Sequence, residues 1–207
     1  VQGPDSGRIL GKLLGSGLTE VGRFRFGLFK WKGIEVIVAR TGYTGEDGYE
    51  IFLPWDDGPA LWESLMEAGR DYGLRPCGLG ARDTLRIEMA YPLYGHEIDE
   101  HTNPLEAGLG RYIKLENGDF IGRDVLRKSL EDGLTRKLVG FEMVERGIPR
   151  QGYEIYNEGH VLGNVTSGTL SPSLDKSIGM GYLKSDAAGR RRVRIEIRGT
   201  AREAEIV

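Results

Sequence analysis

The sequence predicts an α+β chain whose second part is all β. An apolar stripe at helical spacing, Ile9, Leu10, Leu13 and Leu14, opens the chain after Pro4, a residue suited to the first turn of a helix. Two strand-like runs, Phe24 to Trp31 and Ile34 to Arg40, are separated only by Lys32-Gly33, in the manner of a short hairpin. Beyond Gly133 the texture changes to short alternating runs, and Val193 to Arg198 alternates strictly, as a half-buried antiparallel strand does.

The remaining elements follow in order. Tyr49 to Leu53 continues the strand pattern, and Pro54-Trp55-Asp56-Asp57 enters a helix whose face is Leu61, Leu65 and Met66, ending at Gly69 or Gly73. A second helix covers Gly80 to Met89. Tyr91 to Leu115 carries Pro92, Pro104 and several glycines and reads as irregular, closing on a short strand at Tyr112 to Leu115. A helix at Arg123 to Leu130 precedes strands at 137–143, 153–156, 160–167, 177–183, 193–198 and 201–207. A domain boundary is expected at 129–136, giving domains 1–132 and 133–207, the second a small barrel or sandwich.

Composition narrows the function classes. The 207 residues, 39% of them hydrophobic, can bury one large core or two modest ones. A net charge of −3 with acids and bases interspersed leaves no electrostatic footprint for nucleic acid or a membrane surface. One cysteine, Cys77, precludes an internal disulfide and fits a reducing compartment. The chain starts Val1-Gln2-Gly3-Pro4, without an initiator methionine, and is expected to be a fragment.

The segment Ala39 to Ile51 holds the densest signal. Gly42, Gly45 and Gly48 permit a tight loop, while Tyr43 and Tyr49 supply rigid aromatic faces for a flat guest. The spacing G-x-x-G-x-x-G matches neither the dinucleotide nor the Walker phosphate motif, and a plain glycine-rich hairpin connection is the competing reading. Glu50 shares a strand face with Phe52, so it is either a ligand anchor or an ordinary solvent-facing glutamate. Next to Arg82, Asp83 and Arg86 stand at helical ion-pair spacing, and Arg82 is either an ordinary surface charge of this kind or a fixed guanidinium donor. His96-Glu97-Ile98-Asp99-Glu100-His101 gathers two histidines and three acids, but at a spacing one helix does not stack, so a polar loop with internal hydrogen bonds is expected and no metal. Cys77 is expected to be a small buried residue, and Arg190-Arg191-Arg192 a solvated turn.

Four stretches together resemble the glycine cleavage T-protein family of aminomethyltransferases. They are Arg40-Thr41-Gly42-Tyr43-Thr44-Gly45-Glu46-Asp47-Gly48-Tyr49-Glu50, Gly78-Leu79-Gly80-Ala81-Arg82-Asp83-Thr84-Leu85-Arg86, the run from Leu93 to Pro104, and Val165 to Leu174 leading to Ile178-Gly179-Met180-Gly181-Tyr182. The resemblance implies ferredoxin-like folate-binding α+β units followed by a C-terminal antiparallel β barrel. It implies transfer of the methylene carbon of an aminomethyl-lipoyl carrier, the H-protein, to tetrahydrofolate with release of ammonia. Glu50, Arg82, Tyr91 and Tyr43 match the family's folate-binding positions. A carboxylate such as Glu50 can accept the pterin's two parallel donors, and Arg82 can donate to its carbonyl or ring nitrogen.

The family's catalytic aspartate belongs to a segment that would precede Val1, so no catalytic residue is assigned, and this chain alone is expected to lack the acid/base group. The implied location is cytoplasmic for a bacterial protein and the mitochondrial matrix for a eukaryotic one. Two other readings stay open. One is a folate-binding module without catalysis, like the relative that assists iron–sulfur cluster maturation, which is expected to have a cysteine where this chain has Thr41-Gly42-Tyr43. The other is the folate domain of a dimethylglycine or sarcosine dehydrogenase.

Overall fold

The computed structural model describes residues 1–207, which divide by their contacts into two units, Val1–Leu85 and Arg86–Val207. The first unit holds helix α1 (Ser6–Leu14), strands β1 (Phe26–Trp31), β2 (Ile34–Ala39) and β3 (Glu50–Phe52), and helix α2 (Gly58–Ala68). The strands form an antiparallel sheet in the order β1-β2-β3. Lys32 and Gly33 both take positive φ, 48° and 84°, as the tightest hairpin turn requires, and the second of these conformations favours glycine. One sheet face buries Trp31, Val36, Val38 and Tyr49 against Leu10 of α1 and Leu61 of α2. The other face is also apolar, with Phe26, Leu28, Ile37 and Phe52 exposed on it.

The second unit contains helix α4 (Arg123–Asp132) and six strands: β4 (Arg136–Met143), β5 (Glu154–Asn157), β6 (His160–Ser171), β7 (Lys176–Lys184), β8 (Arg192–Ile197) and β9 (Thr200–Ile206). They close into an antiparallel barrel in the order β4-β7-β6-β5-β8-β9, with β9 pairing back onto β4. Closure satisfies both edges of the sheet. Alternate residues fill the interior: Val193 and Ile195 of β8 join Phe141, Ile155, Val165, Leu183 and Ala204 in one cluster. The α+β class with an antiparallel barrel is the expected one.

A buried polar cluster ties the irregular stretch after Arg86 to this barrel. Arg86 and Glu97 are both fully buried, and Arg86 Nη1 donates to Glu97 Oε2 at 2.7 Å. Arg86 also donates to Ser167 Oγ at 2.7 Å and to the Tyr91 carbonyl at 3.2 Å. Glu97 accepts from the Leu93 amide at 3.0 Å and the Thr166 hydroxyl at 2.6 Å, and its carbonyl accepts from the Tyr182 hydroxyl at 2.8 Å. Regular pleating would turn Thr166 and Ser167 to opposite faces. The β6–β7 register skips Thr166, so a bulge delivers both hydroxyls to the same cluster.

Three expectations are corrected here. Arg86, expected on a surface face beside Arg82, is fully buried, with its guanidinium bonded to Glu97 and Ser167. Glu97 accordingly leaves the polar loop, although Asp99 does cap it by accepting from the His101 amide and the Thr102 hydroxyl. No strand forms at 112–115: Gly110–Tyr112 is a single 3-10 turn, and the extended Ile113 that follows has no strand to pair with.

Helix α3 (Leu79–Glu88) ends in a left-handed cap in which the Tyr91 amide donates to the Arg86 carbonyl and the Ala90 amide to the Ile87 carbonyl. The residue that takes the cap's positive φ, 53°, is Ala90, where glycine carries no Cβ penalty. Ala90→Gly is therefore expected to raise the unfolding free energy, by about 1 kcal/mol at most. A chemical-denaturation series that shows a loss of stability would contradict the cap assignment. Glu97→Gln leaves Arg86 buried without its counter-charge and should cost on the order of 3–5 kcal/mol in the same assay.

Tyr182 gives a pH signature. Burial is the main cause that pushes its phenol up to about 12, while Arg136, whose guanidinium stacks 4.4 Å from the ring centroid, opposes the shift. A raised folded-state pKa means that the stabilising contribution is complete below the ordinary tyrosine value of about 10 and is lost as pH rises from there toward 12. Ultraviolet titration of Tyr182→Phe against the parent should remove a late-titrating phenol.

Candidate functional site

The glycine-rich segment, Arg40 to Glu50, is a loop held at both ends of its turn. Arg40 donates through Nε to Asp47 Oδ1 at 3.0 Å and through Nη2 to Asp47 Oδ2 at 2.9 Å, a two-pronged pairing that closes the loop on itself. This hydrogen bonding holds the Asp47 carboxyl below its ordinary range. The glycines serve a different close approach from the expected one. A Cβ at Gly42 or Gly48 would collide with the side-chain amide of Gln2, which threads between them. Gln2 donates to the Thr41 carbonyl at 3.2 Å and accepts from the Thr44 hydroxyl at 3.2 Å. The flat object these glycines accommodate is thus an amide of the chain itself.

With its backbone occupied in this way, the loop presents its side chains to a cavity of about 600 Å3 within the first unit. Tyr43 and Glu50 come to it from the loop and β3, Leu61, Trp62 and Met66 from α2, and Arg82 from α3. The Arg82 guanidinium lies over the Tyr43 ring, 4.4 Å from its centroid, a cation–π contact that restrains both side chains. Glu50 sits at the cavity on the exposed sheet face, with Phe52 beside it as expected, and accepts a hydrogen bond from the Thr41 hydroxyl. The wall is mainly apolar with a carboxylate and a guanidinium among its few polar groups, an arrangement suited to a flat heteroaromatic ring carrying both donors and acceptors.

Three of the four candidate residues, Tyr43, Glu50 and Arg82, therefore line one cavity. Tyr91 does not line it: it belongs to the second unit, half-buried, with its carbonyl bonded to Arg86. Cys77, expected to be buried, is exposed and lines the cavity, because Arg75-Pro76-Cys77-Gly78 is a connecting segment without helix or strand. The sequence reading also missed Gln2 and Trp62. The signal for Gln2 was present in the paired glycines, whose partner lies far away in the chain.

Residues 1–117 match the family model described as the GCVT N-terminal domain, and residues 136–207 match the glycine cleavage T-protein C-terminal barrel domain. The chain belongs to the glycine cleavage T-protein family. Among similar T-protein relatives, the aminomethyltransferase of Caldanaerobacter subterraneus is 52% identical over 91% of this chain and 50% of its own length. That of Halothermothrix orenii is 50% identical over 100% of this chain and 58% of its own. The crystal structure of glycine cleavage system aminomethyltransferase T from Bartonella henselae superposes with a TM-score of 0.88 at 32% identity, over 99% of this chain and 56% of that one. This T-protein-family chain thus spans about half the length of the relatives it matches, 50% to 58% of it. No helix in it is long and apolar enough to cross a membrane.

The Arg40–Asp47 pairing predicts an acid-sensitive loop. A depressed carboxyl pKa means that its stabilisation is present above the unfolded value of about 4 and fades as pH falls below that value. Protection of the Gly48 and Tyr49 amides against exchange, taken relative to the intrinsic rate at each pH, should fall below about pH 4, and Asp47→Asn should show that lower protection already at neutral pH. Identical exchange in the two proteins at pH 7 would rule out the pairing as the loop's clasp.

Proposed function

We propose that the parent of this chain is a tetrahydrofolate-dependent aminomethyltransferase of the glycine cleavage system and that the cavity of the first unit receives the pterin. The observation that carries this reading is the convergence of Glu50, Arg82 and Tyr43 on one apolar-walled cavity in a member of the T-protein family. In the reaction, the methylene carbon of an aminomethyl-lipoyl group on the H-protein passes to tetrahydrofolate, ammonia leaves and the carrier departs as dihydrolipoyl. The residues of this chain bind and orient. Glu50 accepts the ring N3–H and the 2-amino group, while Thr41 orients its carboxylate. Arg82, restrained by its contact with Tyr43, donates to the pterin carbonyl, and Leu61 and Met66 exclude water from the ring. Tyr91 keeps a folate contact only as the resemblance implies it.

The same reading takes residues 1–132 as the remainder of the folate-binding domain and 133–207 as the barrel domain. The run of barrel strands from Arg136 onward supports it. Tetrahydrofolate enters as a substrate, and no metal is assigned a role.

Calorimetric titration of the full-length parent tests the reading. Glu50→Gln sets an amide donor against a pterin donor and should weaken tetrahydrofolate about tenfold to a hundredfold, the equivalent of roughly 1.5–3 kcal/mol. Arg82→Lys should also weaken it, since an ammonium cannot reproduce the planar fork. Melting curves should stay in place, because Glu50 and Arg82 are exposed and outside the apolar core. Unchanged affinity in Glu50→Gln would remove the carboxylate from the site.

A further inference from the structure

We propose that Gln2 is a positioning residue whose one side-chain amide sets both arms of the cavity, the Glu50 carboxylate and the Tyr43–Arg82 pair; this rests on the pterin occupying that cavity. Gln2 is half-buried and pairs with Gly48 as an isolated antiparallel bridge. The Tyr49 amide donates to the Val1 carbonyl and the Gly3 amide to the Asp47 carbonyl, each at 2.8 Å. These two bonds hold the backbone on either side of Gln2 against the loop, so its side chain is aimed before it makes any contact of its own.

The amide has one workable orientation. Nε2 donates to the carbonyls of Thr41 at 3.2 Å and Tyr49 at 3.5 Å, which can only accept, and Oε1 accepts from the Thr44 hydroxyl at 3.2 Å. Its two ends thereby hold the residues on either side of Gly42-Tyr43. Thr41 is also the residue whose hydroxyl donates to Glu50, and Thr44 directly follows Tyr43, over whose ring Arg82 lies. One group thus stands at the junction of two lines of contact, one leading to the carboxylate and the other to the guanidinium. A rigid ring must meet both at once, so their relative placement matters as much as the strength of either.

The slot is shaped for this amide. The nearest atoms that a Cβ at Gly42 or Gly48 would meet are those of the Gln2 side-chain amide, and neither glycine takes a positive φ. The amide, and not a backbone requirement, is what keeps a side chain out of both positions.

The test substitutes Gln2 in the full-length parent and measures tetrahydrofolate binding by calorimetry. Gln2→Met keeps the length of the side chain but loses its hydrogen bonds, and should weaken binding about three- to tenfold. Gln2→Glu separates positioning from space filling. A carboxylate turns an acceptor toward the Thr41 and Tyr49 carbonyls, whereas a carboxylic acid restores a donor on that side and keeps an acceptor for Thr44. Burial beside two carbonyls raises the introduced group above its usual value of about 4.3. The affinity of Gln2→Glu relative to the parent should therefore be nearly restored at about pH 5.5 and fall about threefold or more by about pH 8. Asp5, Arg8, Arg40, Glu46, Asp47 and Glu50 are common to both proteins, so their own titration cancels in that ratio. Part of the Gln2→Met loss should also vanish in a Glu50→Gln background, where the carboxylate that Gln2 positions is gone. Parent-like affinity in Gln2→Met, a Gln2→Glu ratio flat with pH, or full additivity with Glu50→Gln overturns the positioning role and leaves the pterin assignment standing. Parent-like affinity in Glu50→Gln alone removes the pterin assignment, and the role of Gln2 with it.

Discussion

Arg86 and Glu97 are both withdrawn completely from water, and the organisation of the second unit around the 86–98 stretch depends on that pair being fully compensated. Removing two charges from solvent costs several kcal/mol for each, more than one contact at 2.7 Å returns by itself. Here each polar side-chain atom of the pair has a partner. Glu97 takes three donors, from Arg86, Leu93 and Thr166, and Arg86 finds Ser167 and the Tyr91 carbonyl besides its counter-ion. No buried side-chain nitrogen or oxygen in the chain is left without a partner. Such a cluster adds little net stability over an apolar one, but it accepts only one arrangement of the loop on the barrel.

The first unit solves a related problem in a different way. Its sheet is apolar on both faces, yet helices α1 and α2 cover only the face carrying Trp31, Val36 and Val38. Glu50 stands on the uncovered face and at the mouth of the cavity, so the group proposed to read the pterin stays solvated until a ligand arrives. Arg82 is prevented from wandering by stacking rather than by burial, and Gln2 and the Arg40–Asp47 clasp hold the loop that carries Tyr43. The polar groups are thus oriented in advance by neighbours of the same unit.

Periodicity revealed most of the architecture. Alternation at Val193 to Arg198 and the two-residue link Lys32-Gly33 depend on local backbone preferences, which a sequence displays directly, and both appear in the fold. Glu50 and Arg82 were legible for another reason, as members of motifs carried by resemblance, and period two correctly assigned the face of Glu50. The failures at the buried polar cluster share one cause. Arg86, Glu97, Thr166 and Ser167 acquire their roles from contacts 69 to 81 positions apart, which no local pattern encodes. Gln2 and Gly42 are a similar case, and a strand at 112–115 was read from propensity where no partner exists to pair with it.

The bulge at Thr166 has an implication for how this part of the chain can change over time. Because one residue stands outside the ladder, the two halves of β6 run out of phase, and each half has its interior side chains correct only while the extra residue is there. Exchanging Thr166 for another small hydroxyl residue leaves that phase intact. Losing the position altogether would rotate one half of the strand by a full pleat, moving inward-facing residues out and outward-facing ones in. The chain length through Val165-Thr166-Ser167 is therefore under a stricter limit than the identity of its residues, and variation there should take the form of replacement and not of deletion.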